Sequence, residues 1–155
     1  LEVCLVAVLE RHGRRGHRGL ALVKGLKLKQ GAVASTVAHD SHNLLVLGRN
    51  PEDMAIAAQE LAACGGGICC VRNGQVLALL PLPIAGLMSP LPLEKLVPLV
   101  QRLHEALRSV GMEFERPLSI ILGLALPVIP HYSVTDMGLV DVDKQEIIPL
   151  WADEE

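Results

Sequence analysis

The chain has 155 residues, a length that fits one domain built around one core. Half of them are apolar, yet Phe, Tyr and Trp occur once each, so that core has to be aliphatic. A net charge of -3 speaks against a nucleic-acid binder, which needs a basic face. The longest apolar stretch, Val76 to Met88, is broken by Pro81, Pro83 and Gly86, which excludes a helical membrane span of ~20 residues.

In chain order, Val3 to Leu9 is a β-prone run and is expected to be a buried strand. The stretch from Leu1 is too short and wrongly flanked for a signal peptide, and an initial Leu in place of Met points to a trimmed chain or a fragment. A charged, glycine-rich loop follows from Glu10 to Gly19. Ala21 to Val23 is apolar again, after which Lys24, Lys27 and Lys29 alternate with Gly25, Leu26 and Leu28. Gly31 to Val37 is expected as a second strand and Asn43 to Leu47 as a third, with the polar residues 38–42 between them.

The clearest helix starts after Asn50, a good N-cap, with Pro51 at its first position and Glu52 and Asp53 facing the positive helix end. Met54, Ala57, Ala58, Leu61 and Ala62 recur at helical spacing, and Gly65 is a natural stop. Ile68 to Arg72 and Gln75 to Leu80 flank Asn73-Gly74, which predicts a hairpin on a type I′ turn. A second helix is expected from near Pro92 to about Val110. Its apolar stripe is Leu93, Leu96, Val97, Val100, Leu103 and Leu107, Pro98 kinks its first turns, and Gly111 ends it. His104 falls on that stripe and is expected in the core. Leu118 to Leu126 is expected as a final long strand with a bulge at Gly123. The whole predicts an α+β class: a layered domain with a mixed β-sheet covered by about two main helices.

Cys4, Cys64, Cys69 and Cys70 have apolar neighbours and no CxxC spacing. They are expected to be small buried hydrophobes, with Cys69 and Cys70 on opposite sheet faces, in a reducing cytoplasmic compartment.

The stretch His39-Asp40-Ser41-His42-Asn43 is the one dense polar cluster between two apolar strands. Imidazoles with a carboxylate can bind metal, move protons or hydrogen-bond a polar ligand. On an extended strand residues 39 and 42 face opposite sides, so joint action needs a turn. Two His and one Asp are also short of a closed zinc site. The same residues suit a polar turn whose side chains bond its own backbone. The Glu10 to Gly19 loop can act as an anion site through Arg and backbone N–H groups, or be a solvated loop.

The run Val33-Ala34-Ser35-Thr36-Val37-Ala38-His39-Asp40-Ser41-His42-Asn43 resembles the signature of the C-terminal domain of adenine deaminases, in the amidohydrolase superfamily. Glu10-Arg11-His12-Gly13, Leu22-Val23-Lys24-Gly25, Pro81 to Ser89, Ala125 to Pro130 and Thr135 to Val142 agree with it, in order, over nearly the whole chain. The resemblance implies a parent reaction of purine salvage, adenine plus water giving hypoxanthine plus ammonia. It implies a preceding N-terminal amidohydrolase barrel as partner, holding manganese or iron. The barrel's H-x-H motif is not in this sequence, so no cofactor is expected in this chain and the isolated chain is expected to be inactive.

On this reading His39, Asp40, Ser41 and His42 form an accessory catalytic loop at the barrel's active-site mouth, orienting substrate, relaying protons or closing off water. Glu10, Arg11 and Asn43 are candidate binding or bracing residues around it. A homo-oligomer is expected. Two other classes stay open: a structural or oligomerisation module, and a free-standing small-ligand or metal-binding protein.

Overall fold

The computed structural model describes residues 2–13, 15–38, 41–129 and 131–151. The chain opens with an antiparallel pair, β1 (Val3–Leu9) and β2 (Arg18–Lys24), followed by β3 (Ala32–Ser35) and β4 (Leu44–Gly48). Helix α1 (Pro51–Cys64) leads into the hairpin of β5 (Gly67–Arg72) and β6 (Gln75–Pro81). Helices α2 (Leu93–Ser109) and α3 (Pro117–Gly123) come next, and then β7 (Tyr132–Thr135), β8 (Gly138–Asp141) and β9 (Glu146–Ile148).

Strands β1 to β6 form one sheet in the order β2-β1-β4-β3-β5-β6, and β7 to β9 form a second, smaller one. The class is α+β, as expected. Within it, every strand pair is antiparallel, where a mixed sheet was expected. The reason is that β4 and β5, which run in the same direction and are joined through α1, have β3 inserted between them, so each strand neighbours only strands of opposite direction.

Side-chain alternation divides the large sheet into two apolar faces. Val6, Val8, Val33, Leu45, Leu47, Ile68 and Cys70 pack with Leu103 and Leu107 of α2 and Ile121 of α3. Ala32, Ala34, Val46, Cys69 and Val71 face the other way, onto Met54, Ala57 and Leu61 of α1. Cys69 and Cys70 therefore lie on opposite faces, as the period of two requires. All four thiols are free; Cys4, Cys69 and Cys70 are buried and Cys64 is half-buried. Each fully buried leucine contributes roughly 1.5–3 kcal/mol.

Local chemistry explains α1 fully. Asn50 accepts the Asp53 N–H at 2.7 Å, and Gly65 ends the helix at φ 82°. Asn73 and Gly74 both have positive φ, as the type I′ turn demands.

Four expectations change. The run Leu118 to Leu126 is helical through Gly123: Pro117 supplies the first position, and Pro117, Ile121 and Ala125 are buried at a spacing of four. Residues 18–24 form the edge strand β2, with small Gly19 and Ala21 facing inward and Leu20 and Leu22 outward, which inverts the usual pattern. A side chain at Gly19 would strike the Thr135 carbonyl, so the turn from β7 to β8 lies directly over it. The small sheet itself is the third change. In α2, Leu103, Ala106 and Leu107 are buried, whereas Leu93 and Val97 of the expected stripe are exposed and His104 is only half-buried. Pro98 lies inside α2 without ending it.

Candidate functional site

Arg11 follows β1 and reaches across to the segment that precedes β4. Its backbone N–H donates to Asn43 Oδ1 at 3.1 Å, and its Nε donates to the His42 carbonyl at 3.0 Å. Its Nη2 donates to the Ala85 carbonyl at 2.7 Å. One guanidinium thus joins three segments far apart in sequence. Burial pulls the Arg11 pKa below its ordinary value, but two directional guanidinium bonds to carbonyl oxygens suit a cation that stays charged.

His42 sits at φ 48°, an unusual conformation for a residue with a side chain, and its N–H bonds the Ala38 carbonyl at 2.7 Å. Its carbonyl accepts from Arg11 and also lies 3.2 Å from His12 Nε2. Its Nδ1 is buried and has no hydrogen-bond partner among the described residues. Ser41 is exposed, and its Oγ accepts the Asn43 N–H at 3.3 Å. Asn43 is buried and spends its side-chain oxygen on Arg11. His39 and Asp40 lie outside the described residues.

Three participants were not singled out from the sequence: Thr36, Ala85 and Gly86. Thr36 Oγ1 donates to the Gly86 carbonyl and accepts the Gly67 N–H, each at 2.7 Å. Gly86 has φ 74°, and a Cβ there would lie 2.6 Å from Arg11 Nη1, so only glycine lets the guanidinium lie flat on this turn. A cavity of about 180 Å³ opens beside Arg11 and Thr36, walled by Leu44, Leu61, Ala62, Gly65 and Gly66. It is smaller than the ~300–1,000 Å³ of ordinary ligand pockets. The signal that points to this part of the site is the Ala85-Gly86 pair, a turn dipeptide inside an apolar run.

Glu10 does not join the Arg11 cluster. Its carboxylate accepts the His17 N–H at 3.2 Å, and its own N–H donates to the His17 carbonyl at 2.9 Å, closing the loop on itself. The His17 amide, assisted by those of Gly16 and Arg15, holds this carboxyl below its usual range despite the opposing effect of desolvation. His17 Nδ1 lies 3.7 Å from Asp136 on the β7–β8 turn. Glu10, His17 and Asp136 place one ligand atom each within 4.8 Å of one another, the one such grouping of metal-type ligands among the described residues. Their first task is structural, a clasp between the two sheets.

The fold and these contacts define an α+β domain that carries an arginine-tethered histidine turn beside a small cavity. Residues 1–146 match the family model described as adenine deaminase C-terminal domain, and the chain belongs to that family. It is 50% identical to an adenine deaminase of Moorella thermoacetica over 149 residues, covering 96% of this chain and 25% of the relative. It is 46% identical to one from Clostridium botulinum over 153 residues, covering 99% and 26%. It is 50% identical to one from Brucella abortus over 147 residues, covering 95% and 25%. The chain therefore spans about a quarter of the length of these relatives. No helix among the described residues is long and apolar enough to cross a membrane.

Proposed function

We propose that this chain serves as the accessory C-terminal domain of an enzyme that hydrolyses adenine to hypoxanthine and ammonia in the cytoplasm. The carbonyl-anchored segment around His42 is its contribution to the active site. The reaction adds water at the amino-bearing ring carbon and expels ammonia. It needs an activated water, a proton carrier and a base pocket. Manganese or iron held by the remainder of such an enzyme would activate the water. This chain's residues then hold or move a proton at His42 Nδ1 and shut the site against bulk solvent, a task shared with His39, Asp40 and Ser41, which precede it in the chain.

The observation that carries this reading is the state of His42. A purely structural histidine is expected to pair both ring nitrogens internally, because an unpaired buried polar atom costs about 1–3 kcal/mol. Here Nδ1 is buried and unpaired among the described residues, while the carbonyl of the same residue is gripped by Arg11. A positive φ adds a further cost, and such costs collect where a group is held ready for a ligand.

The test is kinetic. In an adenine deaminase carrying these 155 residues, His42→Ala, His39→Ala and Asp40→Asn are each expected to lower kcat at least tenfold with the metal content unchanged. The isolated domain is expected to show no turnover. Unchanged kcat and KM in all three variants would remove the catalytic role and leave a structural module.

A further inference from the structure

Between Arg72 and Glu94 the chain carries no ionisable side chain. The run contains β6 and then leaves the sheet after Pro81 to form a tight, exposed tip at residues 84–88. Ile84 and Met88 exchange two backbone hydrogen bonds of 3.1 Å, and Ala85 and Gly86 turn the chain with φ of 57° and 74°. Two side chains of the candidate site hold the tip: Arg11 on the Ala85 carbonyl and Thr36 on the Gly86 carbonyl. Yet it presents apolar groups to solvent. Met88 is 58% exposed, and Ile84, Leu91, Leu93 and Val97 are exposed with it. Leu93 and Val97 belong to the helical stripe that the sequence marks as core-facing, so a face built to be covered lies open.

We infer that this tip, with the first turns of α2, is the surface on which the domain seats the remainder of an adenine deaminase chain. The inference rests on the functional reading above. Three observations select this occupant and this face. The relatives are about four times as long as the region they share with this chain, which leaves a large partner to be covered. Interface centres are depleted of charge, and residues 73–93 carry none, the first charges after them being Glu94 and Lys95 in α2. The tip is also bonded through Arg11 to the His42 carbonyl, so a body resting on it lies beside the residue that has to meet the reacting centre. A second exposed apolar region, at Leu20, Leu22 and Tyr132, also has charges beside it, Arg18 and Lys24 on β2, but none of its side chains bonds the His42 segment among the described residues. In this arrangement Arg11 couples docking to function, because a shift of the tip is passed to His42 through one planar guanidinium.

The experiment uses the full-length enzyme carrying these residues, with Met88→Cys or Leu93→Cys as thiol probes read by mass spectrometry after brief alkylation. Each probe is expected to react at least tenfold more slowly in the native enzyme than after unfolding in urea. The double variant Ile84→Glu/Met88→Glu, made with Leu93→Cys, is expected to restore fast alkylation at residue 93 and to lower kcat/KM at least tenfold. Native reaction of both probes within threefold of the unfolded rate overturns the inference, as does continued protection in the double glutamate variant. His42→Ala separates the two readings: lost kcat with retained protection supports both. Retained kcat with retained protection removes the catalytic role but keeps the docking surface.

Discussion

Gly74 donates its backbone N–H to Asp53 Oδ1 at 2.7 Å, so the first turn of α1 holds the hairpin turn between β5 and β6. Asn73 N–H bonds the other oxygen of the same carboxylate at 3.1 Å, and Asn50 Nδ2 donates to it at 2.9 Å. Asp53 is thus both a helix-start residue and the anchor of a turn 20 residues later. Loss of this carboxylate leaves several donors without an acceptor. Asp53→Ala is expected to cost about 2–3 kcal/mol and to lower Tm by roughly 4–10 °C, measured by thermal unfolding.

The pH dependence of stability has a definite sign at the same residue. Burial raises the Asp53 pKa, but hydrogen bonds from Asn50, Gly74 and Asn73 outweigh it and leave the folded value below the ordinary 3.8. The stabilisation is therefore full above that value and is lost as pH falls through the lower folded pKa. Urea midpoints of the wild type are expected to drop more steeply than those of Asp53→Asn below about pH 4, and parallel curves would count against the assignment.

Gly86 and Arg11 are expected to behave as one unit. Gly86→Ala places a methyl against the guanidinium at a positive φ, and Arg11→Lys removes the planar fork that bonds two carbonyls at once. Each is expected to destabilise the domain by about 1–2 kcal/mol. The pair in combination should cost clearly less than the sum, which a double-mutant cycle measures.

Burial pushes the thiols of Cys69 and Cys70 up to about 12, from an ordinary 9.0. In the native protein at pH 8 they are expected to resist iodoacetamide while half-buried Cys64 reacts first, as mass spectrometry of timed samples would show. In the unfolded chain these thiols ionise near pH 9 and in the folded one only near 12. Stability is therefore expected to decline across that interval as pH rises.

Leu107 and Ile121 are fully buried on the sheet face shared by α2 and α3. Leu107→Ala and Ile121→Ala are each expected to cost roughly 2–5 kcal/mol by the cavity they leave, read from urea unfolding. A small effect at Ile121 would mean that α3 does not pack as described.

Several parts of the fold were legible because their determinants are local. Asn50, Pro51 and Gly65 bracket α1 by cap chemistry, and Asn73-Gly74 sets its turn by backbone preference alone. The strand at Val3–Leu9 follows from a β-prone apolar run. Residues 117–123 were misread because a short apolar run has no decisive period, and Pro117 was the overlooked start signal. Strand β2 was missed because its inward residues are small and its outward ones large, an arrangement that becomes intelligible once the β7–β8 turn is seen lying on Gly19.

At the site, the sequence determined which groups are available: a cation at Arg11, imidazoles at His12 and His42, an amide at Asn43, and an uncharged stretch before α2. Tertiary structure decided which of them meet. Arg11 and His42 are 31 positions apart, Arg11 and Ala85 are 74 apart, and their contact depends on the strand order that places β4 beside β1. Glu10, adjacent to Arg11 in the chain, turns instead to His17. Backbone preferences act over a few residues and can be read along the chain. Pairing between distant segments is set by which apolar faces bury each other, a property of the whole core that no local pattern records.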